Sequence, residues 1–300
     1  MLEKIINSSN PLIRVRLSGG LGNQLFQFAA AQYVSNIAQS NQIILDSRFL
    51  NKYETPRNYE LDFLTRTMTG VKPAEDDTFS LPDLISKYRF AKVVNRPLGQ
   101  YALIGSHGAL DSLVKYRGTK FYKHYILDGY FQNPNYLRLE EIKTQFNLIA
   151  SESLDTIRHR LPIVDFKKCV GIHIRRGDYV NQANAKNKFL TIELAFYLEA
   201  LKYFPNDSHY IIFGDDNKVV EEFSSQINGI PIYKFNFSLS EEFILLSKMQ
   251  NIIIANSTFS WWSAMIDLHS RKKIIAPKKW YKNEVDNLNN KLLLSNFVVI

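Results

Sequence analysis

Along most of the chain, short runs of β-branched and aliphatic residues give way to stretches whose apolar positions recur at helical spacing. That alternation builds βαβ units and a parallel sheet. The second half shows it most clearly. Cys169-Val170-Gly171-Ile172-His173-Ile174 reads as a buried strand, and after a polar loop Thr191 to Phe204 repeats Leu194, Leu198 and Leu201 until Pro205 stops the helix. Tyr210-Ile211-Ile212-Phe213 predicts a second strand. Ser238 with Glu241 three residues on forms a capping box for a helix ending near Met249. Ile252 to Ala255 then reads as a strand, Phe259 to Leu268 as a helix and Lys273 to Ala276 as another strand.

The first half opens in the same way, with a strand over Leu12 to Leu17, a glycine-rich turn, a helix from about Gln24 to Ala38 and a strand over Gln42 to Asp46. From Asn51 to about Tyr125 the pattern weakens. A helical run from Glu152 to Leu161 meets Pro162, which places a domain boundary within residues 150-165. Two α/β domains are expected, 1-155 and 156-300, in keeping with 300 residues at about 150 per domain.

Composition narrows the class. With 45% hydrophobic and 22% charged residues the chain is an ordinary globular protein, and its single cysteine, Cys169, excludes an internal disulfide framework. The N-terminus lacks the apolar run of a signal peptide and no segment is apolar enough to span a membrane, so the chain is expected to remain in the compartment where it is made. The net charge of +8 divides into +5 for residues 1-150 and +3 for 151-300. Such a diffuse excess suits small polyanions, a phospholipid surface or nucleic acid about equally. No RNP-type or helix-turn-helix signature accompanies it, which counts against nucleic acid.

Ligands of open parallel sheets bind at the carboxyl ends of the strands, so the loops there carry the candidate chemistry. Ser18-Gly19-Gly20-Leu21-Gly22-Asn23-Gln24 fails the dinucleotide fingerprint, because Leu25 stands where a third glycine belongs, and no Lys-Ser/Thr pair makes it a P-loop. It remains either a tight turn that brings backbone amides and Asn23 to a ligand, or one that merely needs glycine dihedrals. In His173-Ile174-Arg175-Arg176-Gly177-Asp178-Tyr179, two guanidinium forks suit a pyrophosphate, and Asp178 is spaced to hold one of them. A surface ion-pair cluster is the alternative. His173 points away from Ile172 and Ile174, as a core histidine does.

Asn256-Ser257-Thr258-Phe259 places small polar side chains at a strand-to-helix junction, a second phosphate cradle, unless Ser257 or Thr258 is only the N-cap. Trp261 and Trp262 read as core. Asp215 and Asp216 can accept from a purine or ribose, or can cap a helix. The six histidines lack metal-ligand spacing and no Asp-x-Asp occurs, so neither a metal nor a cofactor is expected and protein cations must stabilise any leaving phosphate.

Taken together, SGGLGNQLFQFAAA (18-31), RNYEL (57-61), LDGYFQ (127-132), GIHIRRGDYV (171-180), FGDD (213-216) and IIIANSTFSWWSA (252-264) resemble the α-1,2-fucosyltransferases of glycosyltransferase family 11. The resemblance implies a GT-B fold, two Rossmann-like domains with parallel sheets facing across a cleft, with the acceptor side in the first domain. It implies GDP-fucose as donor, Arg175 holding the diphosphate with Arg176 in support, and His173 and Asp215 near guanosine. Ser257, Thr258 and Phe259, beside Asn256, would serve the phosphates, and Asn23 would reach the donor from the other domain. The implied reaction is inverting attack by the 2-hydroxyl of a β-galactoside, as in O-antigen or oligosaccharide synthesis.

Asp178, Glu60, Asp46 and Asp128 are all open as the general base. The implied setting is cytoplasmic, with lipid-linked glycans as possible acceptors and peripheral contact with the inner membrane face. Competing readings are a fucosyltransferase of α-1,6 or protein O-linked type, since the HxRR core is shared more widely, and a basic nucleic-acid-binding module.

Overall fold

The computed structural model describes residues 10–52, 55–74, 101–105, 110, 124–137, 139–162, 168–267 and 273–300. Most of the weakly patterned stretch 51-125 therefore lies outside the described residues. Two compact units divide at Leu139 and Glu140.

Unit 1 is built on strands β1 (Leu12–Arg16), β2 (Gln42–Asp46), β3 (Val71–Pro73), β4 (Tyr101–Ile104) and β5 (His124–Leu127). They pair in the order β3-β2-β1-β5-β4, with every pairing parallel. Helix α1 (Leu21–Ala38) crosses from β1 to β2 and is buried over most of its length, which is why Phe26, Phe28, Ala29, Ala30 and Ala31 carry no polar face. A short helix α2 (Asp62–Thr65) follows β2.

Unit 2 holds β6 (Cys169–Ile174), β7 (His209–Gly214), β8 (Ile230–Pro231), β9 (Asn251–Ile253), β10 (Lys273–Ala276) and β11 (Val298–Val299), ordered β11-β10-β9-β6-β7-β8 and again all parallel. All six residues of β6 are buried, as befits a central strand covered on both faces. Ile172, Ile212, Ile253 and Ile275 pack with Tyr197 and Phe223 in the core on one side of this sheet.

The crossovers of unit 2 are α4 (Gly177–Asn181), α5 (Ala183–Lys188), α6 (Leu194–Leu201), α7 (Asn217–Ile227), α8 (Leu239–Ser247), α9 (Thr258–Met265) and α10 (Glu284–Leu288). At α8 the predicted capping box is present: Ser238 Oγ accepts from the Glu241 N–H, and Glu241 accepts from the Ser238 N–H at 2.7 Å. No helix among the described residues is long and apolar enough to cross a membrane.

The units meet earlier than the interval 150-165 read from the sequence, because one helix, α3, runs unbroken over Leu139–His159. Its residues Ile142, Phe146, Ala150 and Ile157 form a buried stripe. Phe146 meets Phe243 edge to face at 5.7 Å, and the Lys248 ammonium donates to Asn147 Oδ1, so the helix packs with unit 2.

Candidate active site

In unit 2 the strand order switches at β6 and β9, neighbours in the sheet although far apart in the chain. The loops leaving their carboxyl ends flank the switch point, where α/β sheets bind ligands. Arg175 leaves β6 and its guanidinium meets Asp215 Oδ2, on the loop after β7, at 2.7 Å. The other oxygen, Oδ1, accepts the backbone N–H groups of Arg176 at 2.8 Å and Gly177 at 3.0 Å. Burial alone would raise this carboxyl, but the Arg175 cation and the two N–H donors outweigh it and hold Asp215 below the ordinary carboxylate range.

Glycine at 177 is a steric necessity. A Cβ there would sit 2.6 Å from Asp215 Oδ2. The adjacent Asp216 plays a separate part, since its side chain accepts from the Val219 N–H at 3.3 Å and caps α7. The sequence reading spaced Asp178 to hold an arginine. The structure shows Asp215 at Arg175, brought there across 40 residues of chain by the parallel pairing of β6 with β7. Asp178 lies in α4, and its side chain is outside the described residues. Arg176 is half-buried, and its guanidinium makes no ion pair among the described residues.

Around this pair the switch-point loops are tied together. Arg175 lies 5.5 Å over the Tyr179 ring, and the Tyr179 hydroxyl donates to the Asn256 carbonyl at 2.9 Å. Asn256 is 1% exposed, and its amide donates to the carbonyls of Leu190 at 2.7 Å and Trp280 at 2.8 Å, bracing three loops. Ser257 is the N-cap of α9, accepting from the Phe259 N–H at 3.3 Å, and Thr258 opens the helix. Trp261 and Trp262 are wholly buried, as core.

His173 stacks on Phe259 at 5.2 Å, and Phe259 in turn meets Phe243 edge-on at 5.4 Å. Burial drives the His173 imidazole down to about 4, against the pull of Asp215 and with that of Arg175, so it is neutral at pH 7. Its Nδ1 has no hydrogen-bond partner among the described residues. Sequence reasoning did not single out Glu242, next along the chain from Phe243. Burial lifts its carboxyl to about 7. Only its place in the first turn of α8, beside the capping box, marks it in the sequence.

Unit 1 presents its own constellation at the carboxyl ends of β1 and β5. Gly19 takes a φ of 75° in the turn before α1, and Asn23 Oδ1 accepts from Gln132 Nε2 at 2.8 Å. Two fully buried glutamines of α1, also missed, hold this end together. Gln24 donates to the carbonyls of Gly19 and Asn58, both at 2.9 Å, and accepts from the Glu60 N–H at 3.0 Å. Gln27 donates to Ser18 Oγ at 2.7 Å and the Gly129 carbonyl at 3.1 Å, and accepts from the Ser18 N–H at 3.0 Å. Amides at i and i+3, just before and within the apolar run Leu25 to Ala31, were the available signal. The blocks SGGLGNQ, RNYE and DGYF are thus stitched into one surface.

Of the candidate bases, Asp46 is only 2% exposed and lies between Arg14 at 3.3 Å and Arg48 at 2.6 Å. It is a structural anion. Asp128 is half-exposed at the end of β5 and pairs with Arg16 at 3.1 Å. Glu60 lies over the glycine turn, where a Cβ on Gly20 would be 3.7 Å from its Oε2.

With these sites in place, comparison with known proteins identifies the scaffold. Residues 4–300 match the sequence profile of glycosyl transferase family 11. The O-antigen biosynthesis glycosyltransferase WbnK of Escherichia coli is 28% identical over 311 residues, covering 94% of this chain and 98% of that protein. An alpha-1,2-colitosyltransferase of Escherichia coli is 27% identical over 287 residues, covering 91% and 93%. A solved GDP complex of Arabidopsis thaliana FUT1 aligns at a TM-score of 0.49 and 12% identity, over 92% of this chain and 72% of that one. The profile spans nearly every described element, and the chain belongs to glycosyl transferase family 11.

Proposed function

We propose that this glycosyltransferase moves L-fucose from GDP-β-L-fucose to the 2-hydroxyl of a terminal β-galactoside, with inversion, in O-antigen or related glycan synthesis. One observation carries the donor side: Arg175 is fixed by Asp215 at the carboxyl end of β6, beside the loop that opens α9. A braced guanidinium near the amino-terminal end of a helix suits a diphosphate. The names of the two relatives support the 2-linkage and the glycan setting.

In the reaction the acceptor oxygen bonds to C1 of the sugar as the bond from C1 to the diphosphate oxygen breaks. The electron pair leaves with GDP, and the hydroxyl proton passes to a base. Charge grows on the leaving phosphate, where Arg175, with Arg176 and the amides at Ser257, Thr258 and Phe259, stabilises it. One such donor typically contributes about 10²–10³ in rate. His173, stacked on Phe259, and Asp215 serve the nucleoside. Asn23 serves the donor, and the loops of unit 1 serve the acceptor side. The base is sought among Asp128, Glu60 and Asp178, since Asp46 is neutralised by two arginines. The donor is a substrate, no metal or other cofactor takes part, and transfer occurs on the cytoplasmic side.

Product linkage by NMR after incubation with GDP-fucose and lactose, with EDTA present, tests this reading. A 2-linked fucosyl product supports it, and transfer to another hydroxyl or loss of transfer in EDTA overturns it. A second reading, transfer of colitose, is favoured by the near-equal identity to the colitosyltransferase. Competition between GDP-fucose and GDP-colitose decides between the two donors.

A further inference from the structure

The two most exposed large hydrophobic side chains among the described residues are on one short helix. Leu288 is 86% exposed and Val285 61%, at i and i+3 of α10, so both project to the same side. This helix is not a loose loop. Asn283 caps it, accepting from the Val285 N–H at 2.8 Å. Asn287 Oδ1 accepts the N–H groups of Trp280 at 2.9 Å and Tyr281 at 3.0 Å, and its amide donates to the Tyr281 carbonyl at 2.8 Å. Trp280 is itself core, 2% exposed. The fold therefore holds two apolar side chains rigidly in water, where each is unfavourable and neither packs the interior.

Exposed lysines flank them along the chain. Lys278, Lys279, Lys282 and Lys291 are exposed on the segment that carries α10. Lys186 and Lys188 join them, because the Lys282 N–H donates to the Lys188 carbonyl at 3.0 Å and Phe189 pairs with Tyr281. Six lysines face only Glu284 and Asp286 in these segments, a local excess of four positive charges, half the net charge of the whole chain. The Lys279–Glu284 pair satisfies one of them.

We propose that this patch docks the protein on an anionic phospholipid bilayer, with Val285 and Leu288 entering the headgroup boundary and the lysines meeting lipid phosphates. Apolar tips on a lysine-rich segment match an acidic membrane surface, which offers hydrocarbon and negative charge together. Nucleic acid offers no hydrocarbon, and a second copy docked by the same patch would oppose two positive excesses. The patch also shares an end of the sheet with the arginine loop, since it follows the carboxyl end of β10 and Trp280 is bonded to Asn256. Docking would thus turn the strand ends of unit 2 toward the bilayer. This inference goes beyond the transferase reading and does not depend on it.

Co-sedimentation of the full chain with vesicles of phosphatidylcholine and phosphatidylglycerol in equal parts tests it, with pure phosphatidylcholine vesicles as control. The wild type sediments with the anionic vesicles only, and added salt releases it. Val285→Ser with Leu288→Ser, and separately Lys188→Glu with Lys282→Glu, each weaken vesicle binding at least about tenfold. Both keep wild-type transfer to a soluble acceptor. Equal binding to both vesicle types, no binding at all, or unchanged binding of both variants overturns the proposal. So does conversion of a dimer to a monomer by the serine variant with no change in vesicle binding, which assigns the patch to self-association. Vesicle binding without any transfer overturns the transferase reading alone.

Discussion

Asp215 holds Arg175 with one carboxylate oxygen and, with the other, the backbone immediately behind it at Arg176 and Gly177. One side chain therefore sets both the guanidinium and the loop that carries it. Removing the charge of Asp215 while keeping its shape leaves the arginine in place sterically but free to turn. Asp215→Asn is expected to lower transfer by about tenfold to a hundredfold and to weaken GDP binding in calorimetry. Wild-type values for both would remove Asp215 from the positioning role.

Gly177→Ala forces a methyl group to 2.6 Å from Asp215 Oδ2, an atom pinned by its ion pair with Arg175. Such overpacking typically costs about 1–3 kcal/mol. Thermal unfolding should show a loss in that range, and transfer should fall further than stability alone accounts for, because the displaced carboxylate is the one that fixes Arg175.

His173 and Glu242 give opposite pH dependences. His173 falls from its ordinary 6.5 to about 4, so the unfolded chain binds its proton first, and this contribution, full above pH 6.5, is lost as pH falls toward 4. Glu242 rises from 4.5 to about 7, so its contribution is full below pH 4.5 and is lost as pH rises through 7. The two slopes offset in the wild type between pH 4.5 and 6.5. His173→Phe keeps the ring and removes the first slope; Glu242→Gln removes the second. Melting temperatures against pH should show stability falling with pH in the former and rising in the latter, and parallel profiles in all three proteins would contradict both assignments.

The glutamines of α1 make a stability prediction that does not involve the donor. Gln27→Leu leaves the Ser18 N–H, the Ser18 hydroxyl and the Gly129 carbonyl without their partner in a buried setting. At about 1–3 kcal/mol for each orphaned group, the melting temperature should drop by several degrees. A neutral effect would show that water replaces the amide.

The strand-and-loop order of unit 2 was legible because each strand is a short β-branched run bounded by polar turns, and β6, β7, β9 and β10 form where those runs lie. The arginines at the end of β6 and the capped start of α9 followed from the same reading. The ion pair of Arg175 with Asp215 did not, since Asp215 arrives only through the parallel pairing of β6 with β7. Helix α3 was read only in its carboxyl half. The stripe of Ile142, Phe146 and Ala150 lies among polar residues and declares itself only once Phe146 has Phe243 to pack against. Glu242 was silent because its lifted carboxyl is a product of burial, which no neighbouring residue in the chain encodes.

Whether Arg175 drives departure of the diphosphate is read from the rate of GDP release from GDP-fucose, with and without lactose, for the wild type and for a folded Arg175→Ala variant. Release should depend on lactose in the wild type and fall at least about a hundredfold in the variant. Equal release by the two proteins would contradict that role.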